Sequence, residues 1–161
     1  MNVISFKGNY TGPYIYFISC KGHIYIGESK KIPLVNWAKH IFSEKEATLL
    51  SILKKKELDV TKEDIAIGCI PCSRLTEEVE KGLMGMVLRG LTHNIYKKCL
   101  QSALSLNRDY VVLSSGESAP AKSSLLKFNW LDEYSTDIFN HFWKAYTTHT
   151  PLTNACVINR I

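Results

Sequence analysis

The sequence predicts an α+β domain: a small, mainly antiparallel three-stranded sheet flanked by helices, with a C-terminal helical extension. Three observations carry this prediction. Two short runs rich in β-branched and aromatic residues, YIYFIS at 14–19 and HIYIGE at 23–28, stand either side of a Cys-Lys-Gly turn and read as a β-hairpin. A third run, IAIGCIPC at 65–72, has the length and apolar content of a buried strand. Between and after these runs, apolar residues recur at helical spacing.

In the first strand, Tyr14, Tyr16 and Ile18 should face one side and Ile15 and Phe17 the other, because a strand alternates its side chains. Pro33 stands where a first helical turn tolerates it, and Leu34, Trp37, Ala38 and Ile41 then predict a helix through about Ser43. Residues 44–57 predict a second helix with Leu49, Leu50 and Leu53 as its apolar stripe. Its run Lys54–Lys56 reads as a solvated helix end favoured by the helix dipole. After the third strand, Ser73 is a candidate N-cap for a long helix from about Arg74 to Leu91, in which Gly82, Gly85 and Gly90 weaken the middle or mark close packing. A further helix near 95–105 and a short strand over 109–114 follow. The segment 114–124 is rich in Ser, Ala and Gly and reads as a loop or linker between a core over 1–113 and an extension over 125–161. In that extension Phe139, Phe142, Trp143 and Tyr146 lie near helical spacing, an aromatic stripe suited to a core.

Composition narrows the class. A chain of 161 residues with 45% hydrophobic and 22% charged residues is one ordinary globular domain that needs no staple to fold. No apolar run approaches the roughly 18 to 20 residues that span a bilayer, and MNVISFKGNY lacks the layout of a secretory signal. The expectation is a cytoplasmic location. The five cysteines (Cys20, Cys69, Cys72, Cys99, Cys156) are scattered and odd in number, which predicts reduced, mostly buried thiols. Cys69 and Cys72 form a CxxC, but no second ligand pair answers it, so a zinc site is not expected. The net charge of +5 is carried by residues 1–113, with 16 Lys and Arg against 11 Asp and Glu, whereas residues 114–161 hold 4 of each. A mild basic excess confined to one region permits contact with a polyanion without demanding it.

The most informative stretch is Tyr14-Ile15-Tyr16, then Tyr25-Ile26-Gly27, then Ser29, Trp37 and His40. In that order and spacing it resembles the signature of the GIY-YIG nuclease superfamily, in which a hairpin carries two tripeptides and the following helix carries an Arg and, four residues later, a His. With the third strand and the next helix, the resemblance covers roughly residues 12–95. It implies a metal-dependent hydrolase of DNA phosphodiesters. It assigns Tyr16 as the base, Tyr25 as a positioning and phosphate-contacting group, and His40 as a participant in proton transfer. It also implies one carboxylate on a later helix holding a single Mg2+ or Mn2+. Glu80 matches by its acidic-then-apolar setting, with Glu77 one turn earlier as the second choice and Asn94 resembling the Asn that closes the segment.

Elementary chemistry agrees with such a set. Phosphodiester hydrolysis needs a base to activate water, a cation for the phosphoryl oxygens, and an acid or metal at the leaving oxygen. A phenol near pKa 10 is a poor base at neutral pH unless cations lower it, so Tyr16 needs positive neighbours. Two positions depart from the pattern. Tyr14 stands at the first tripeptide's Gly, with Gly12 just upstream, and Asn36 stands where the helix should carry its Arg. Asn is neutral and lacks the planar charged fork that clamps a phosphate, and losing such a contact costs on the order of 10²–10³ in rate. Three explanations are open: Lys30, Lys31 or Lys39 substitutes as the phosphate-binding cation, the protein is a non-cleaving relative, or an inactivating substitution is present. The expected function is a divalent-metal-dependent endonuclease on double-stranded DNA, with restriction, mobile-element and repair roles not separable. The alternative is a weakly active or inactive nucleic-acid-binding protein on the same fold.

Overall fold

A computed structural model describes residues 12–30, 33–43, 48–58, 65–82, 85–105, 111–113 and 128–148. Strands β1 (Tyr14–Cys20) and β2 (His23–Ser29) form the expected hairpin, paired antiparallel from Tyr14 opposite Ser29 to Cys20 opposite His23. That register leaves two turn residues, Lys21 and Gly22, both at positive φ (45° and 76°). Two left-handed positions define the type I′ turn, whose twist matches that of the flanking strands. Gly22 adopts it freely, whereas Lys21 carries a Cβ penalty of roughly 1–2 kcal/mol.

Strand β3 (Ile65–Pro71) pairs antiparallel with the other edge of β1, and all seven residues of β1 are buried as befits a central strand. A fourth strand, β4 (Val111–Val112), joins β2 in parallel and gives the order β3-β1-β2-β4. The sheet is thus four-stranded and mixed, the expected antiparallel trio extended at one edge by the short strand foreseen over 109–114.

The two faces of the sheet carry two separate clusters. Tyr14, Tyr16, Ile18, Ile67 and Cys69 pack with Trp37 and Ile41 of α1 (Leu34–Phe42) and with Leu49 and Leu53 of α2 (Leu49–Lys55). Thr48 caps α2, its hydroxyl oxygen accepting the Ser51 N–H at 3.2 Å, which satisfies one of the orphan donors of a helix start. Residues 44–47 of the expected second helix lie outside the described residues. Ile15, Phe17, Ile24, Ile26 and Ile70 form the opposite face, covered by α3 (Ser73–Glu80), α4 (Gly85–Ser105) and α5 (Leu131–Thr148). The alternation foreseen for β1 is therefore the division between the two cores.

Two helical expectations are corrected. The chain does not run as one helix from Arg74 to Leu91 with a second near 95. It breaks after Glu80, where Gly82 takes φ of +105°, and then runs as one 21-residue helix from Gly85. A left-handed glycine ends a helix at little cost, whereas Gly90 sits buried inside α4. Ser73 is the first residue of α3 rather than its cap. The aromatic stripe of α5 is core: Phe139 and Phe142 are buried, and the Phe142 ring stacks on Phe17 with centroids 3.6 Å apart. The side chain of Tyr146 lies outside the described residues.

The four described cysteines are free and buried. Cys69 belongs to the tyrosine-face cluster and Cys72 to the opposite one, so the CxxC is divided between the two cores. Burial pushes the Cys69 and Cys72 thiols well up and that of Cys99 to about 12, which leaves them protonated and unreactive at neutral pH. Among the described residues no helix is long and apolar enough to cross a membrane.

Candidate functional site

Strand parity, one glycine and one helix place three of the expected residues together. Tyr16 and Gly27 are direct partners across β1 and β2, and the Tyr16 ring lies over the place where a side chain on residue 27 would project. A Cβ there would overlap the phenol carbon and oxygen of Tyr16. The glycine of the second tripeptide is therefore the space that the base candidate occupies. Tyr25, two residues earlier on the same face, stacks beside Tyr16 with centroids 6.2 Å apart and an interplanar angle of 28°. From α1, His40 packs against Tyr25 at 4.1 Å between centroids.

The hydrogen bonds in this trio run in one direction. The backbone N–H of Leu49, at the start of α2, donates to His40 Nδ1 at 3.2 Å. A backbone N–H is only a donor, so Nδ1 is the unprotonated nitrogen and the proton of the neutral ring sits on Nε2. Nε2–H then points at the Tyr16 hydroxyl oxygen, 3.4 Å away, a long bond. The Tyr25 ring stacks beside this pair. The chain Leu49 N–H, His40, Tyr16 thus has its polarity set by a donor that cannot reverse.

Protonation follows from burial. Burial first, then the neighbouring Tyr25, push the Tyr16 phenol well above its ordinary value, with smaller contributions from Tyr96 and Glu28. Burial also raises Tyr25, partly offset by its bond with Tyr16. Burial lowers His40, helped by the adjacent Lys39. At neutral pH all three are uncharged. Sequence reasoning required cations that lower Tyr16, and its surroundings move it the other way.

The remaining expected residues are only partly described. Asn36 is half-buried one turn before His40 and, among the described residues, makes no hydrogen bond to the trio. Lys30 and Lys39 are exposed, and Lys31 lies outside the described residues. Glu80 is the last residue of α3, and its side chain also lies outside the described residues. Glu77 is exposed, and Asn94 is half-buried on α4. Among the described residues, no group of three or more His, Cys, Asp or Glu could hold a metal ion. Two phenols and an imidazole without a carboxylate are not by themselves a magnesium site, since that ion demands oxygen ligands with at least one carboxylate.

One polar pair was not singled out from the sequence. Glu28 accepts a hydrogen bond from His93 Nδ1 at 3.0 Å, although 65 residues separate them. The signal was present in the parity of β2. Residues 24, 26 and 28 share a face, and a glutamate continuing a line of fully buried isoleucines needs a partner. What that partner is was not legible, because His93 lies on a helix whose docking is not a local property. No family model, curated protein or solved structure matches this chain.

Proposed function

We propose that the chain is a divalent-metal-dependent endonuclease of the GIY-YIG kind, acting on double-stranded DNA. The observation that supports this best is the convergence of Tyr16, Tyr25 and His40 around Gly27, four positions that the resemblance singles out from sequence order alone. In this reading Tyr16 first loses its own proton to solvent, as a cation held nearby would favour, and the phenolate Oη then takes a proton from the attacking water. Nε2–H of His40 favours the phenolate, because a hydrogen bond donated to the charged form stabilises it. Tyr25, stacked beside Tyr16, offers its hydroxyl to a phosphate oxygen. Metal dependence, with Mg2+ or Mn2+, enters through Glu80, and a bound cation would supply positive charge beside the phosphate.

Two observations favour a second reading, a nucleic-acid-binding protein with little cleavage. The phenol is raised rather than lowered, and Asn36 supplies no charge.

Single-turnover nicking of plasmid with Mg2+ or Mn2+, with DNA binding measured separately, decides between the two. Restoring a cation by Asn36→Arg should raise cleavage by on the order of 10²–10³, and Tyr16→Phe in that background should remove most of it. If Asn36→Arg binds DNA normally and cleaves no faster, the binding-protein reading takes its place.

A further inference from the structure

One hydroxyl joins α1 to α2. Thr48 Oγ1 donates to the Ser43 carbonyl at 2.8 Å and accepts the Ser51 N–H at 3.2 Å. Ser43 closes α1 and Thr48 opens α2, so the oxygen that caps one helix also ties it to the end of the other. The placement of this clasp brings it close to the tyrosine-face trio. Ser43 lies less than one turn beyond His40, and Leu49 is the residue after Thr48. The clasp therefore stands beside both partners of the bond from the Leu49 N–H to His40 Nδ1. The Thr48 carbonyl is fixed as well, accepting the Ile52 N–H at 3.0 Å and the Ser51 hydroxyl at 2.9 Å. In a trans peptide the N–H points opposite to the C=O, so a carbonyl drawn into α2 aims the Leu49 N–H outward, toward α1. That N–H is one of the orphan donors of a helix start. Thr48 satisfies the donor of Ser51, and the imidazole satisfies that of Leu49.

We propose that Thr48 is a positioning residue: by clasping α1 to α2 it keeps the Leu49 N–H on His40 Nδ1, so that His40 meets Tyr16 only as a hydrogen-bond donor through Nε2. A proton on Nδ1 would set two N–H groups against each other. The clasp thus opposes imidazolium formation, in the same direction as burial and the Lys39 charge beside it on α1. The titratable groups that the sheet turns toward His40 are Tyr16 of β1 and Tyr25 of β2. Burial raises both phenols, so they are neutral where His40 titrates, and α2 contributes the uncharged Thr48 and Leu49. The use made of this donor at Tyr16 rests on the nuclease reading, whereas the clasp itself is read without DNA.

Nuclear magnetic resonance of the full chain, labelled in nitrogen, tests the proposal. In the unmodified protein we expect a scalar coupling across the hydrogen bond between the Leu49 amide nitrogen and His40 Nδ1, with Nδ1 the ring nitrogen that lacks a proton. Thr48→Val keeps the side-chain shape and removes the hydroxyl. It should abolish the coupling, speed exchange of the Leu49 amide by about fivefold, the effect of one hydrogen bond, and move the titration of His40 to higher pH. Thr48→Ser keeps the hydroxyl and should behave as the unmodified chain in all three. Thr48→Asp keeps an acceptor for the Ser51 N–H, and so a cap for α2, but has no proton to give Ser43. It should fold with α2 capped and still lose the coupling. Absence of the coupling in the unmodified protein would overturn the proposal, a result that needs no variant to fold. So would an unchanged coupling and titration in folded Thr48→Val, and a coupling retained in Thr48→Asp would reduce Thr48 to a helix cap. Absence of DNA cleavage with the coupling present would remove the nuclease reading and leave the clasp standing.

Discussion

The two faces of the β1–β2 hairpin are built from the same residues in alternation, and they solve the burial of polar groups in opposite ways. On the tyrosine face the polar groups are two phenols and an imidazole, and burial drives all three to their neutral forms. Hydrogen bonds then run one way from a helix N–H through His40 to Tyr16. On the isoleucine face Glu28 accepts from His93 at one oxygen, and its other oxygen is buried without a hydrogen-bond partner among the described residues. The difference follows from which residue types the alternation places on each side.

The comparison is broken most severely on the isoleucine face. Phe17→Ala removes one partner of the Phe17–Phe142 stack and leaves a cavity under α5. The expected loss is about 3–5 kcal/mol in denaturant-induced unfolding. Phe142→Ala should cost a similar amount, and the double variant less than their sum, because the two share one contact. Simple additivity would mean that α5 is not held by this stack.

A smaller effect is expected from Gly27→Ala on the tyrosine face. The added methyl group competes with the Tyr16 ring for one space, and the expected cost is about 1–3 kcal/mol of overpacking. A change in tyrosine near-ultraviolet circular dichroism should accompany it. Full stability with an unchanged spectrum would show that Tyr16 does not lie over residue 27.

The pH dependence sharpens the contrast and is the smallest effect. His40 is lowered from its ordinary value of 6.5, so the unfolded chain binds more protons below that pH. Stability is complete above about 6.5 and falls as the pH drops towards the folded value. His40→Gln should flatten this acid limb. The buried thiols and phenols are raised above their ordinary values of 9.0 and 10.0, so stability is complete below about 9 and is lost as pH rises beyond it. Melting temperatures taken from pH 5 to 11 check both limbs, and an acid limb unchanged in His40→Gln would remove His40 as its source.

What the sequence by itself determined is what short-range physics determines. The strand runs, a turn with a glycine at its second position, the parity that divides Tyr14, Tyr16 and Ile18 from Ile15 and Phe17, and the α1 stripe are all set by neighbours a few residues apart. The Tyr16–Tyr25–His40 trio was legible for that reason, since hairpin register and one following helix suffice to assemble it. The break at Gly82 rather than past Leu91 was not, because several glycines offered equivalent local endings and packing against the sheet chose among them. The parallel pairing of β4 with β2, the stacking of Phe142 on Phe17 and the meeting of Glu28 with His93 were decided only by tertiary structure. Each joins segments tens of residues apart. Such contacts are selected by which buried surfaces and polar groups complete one another, and local propensity carries no record of that choice.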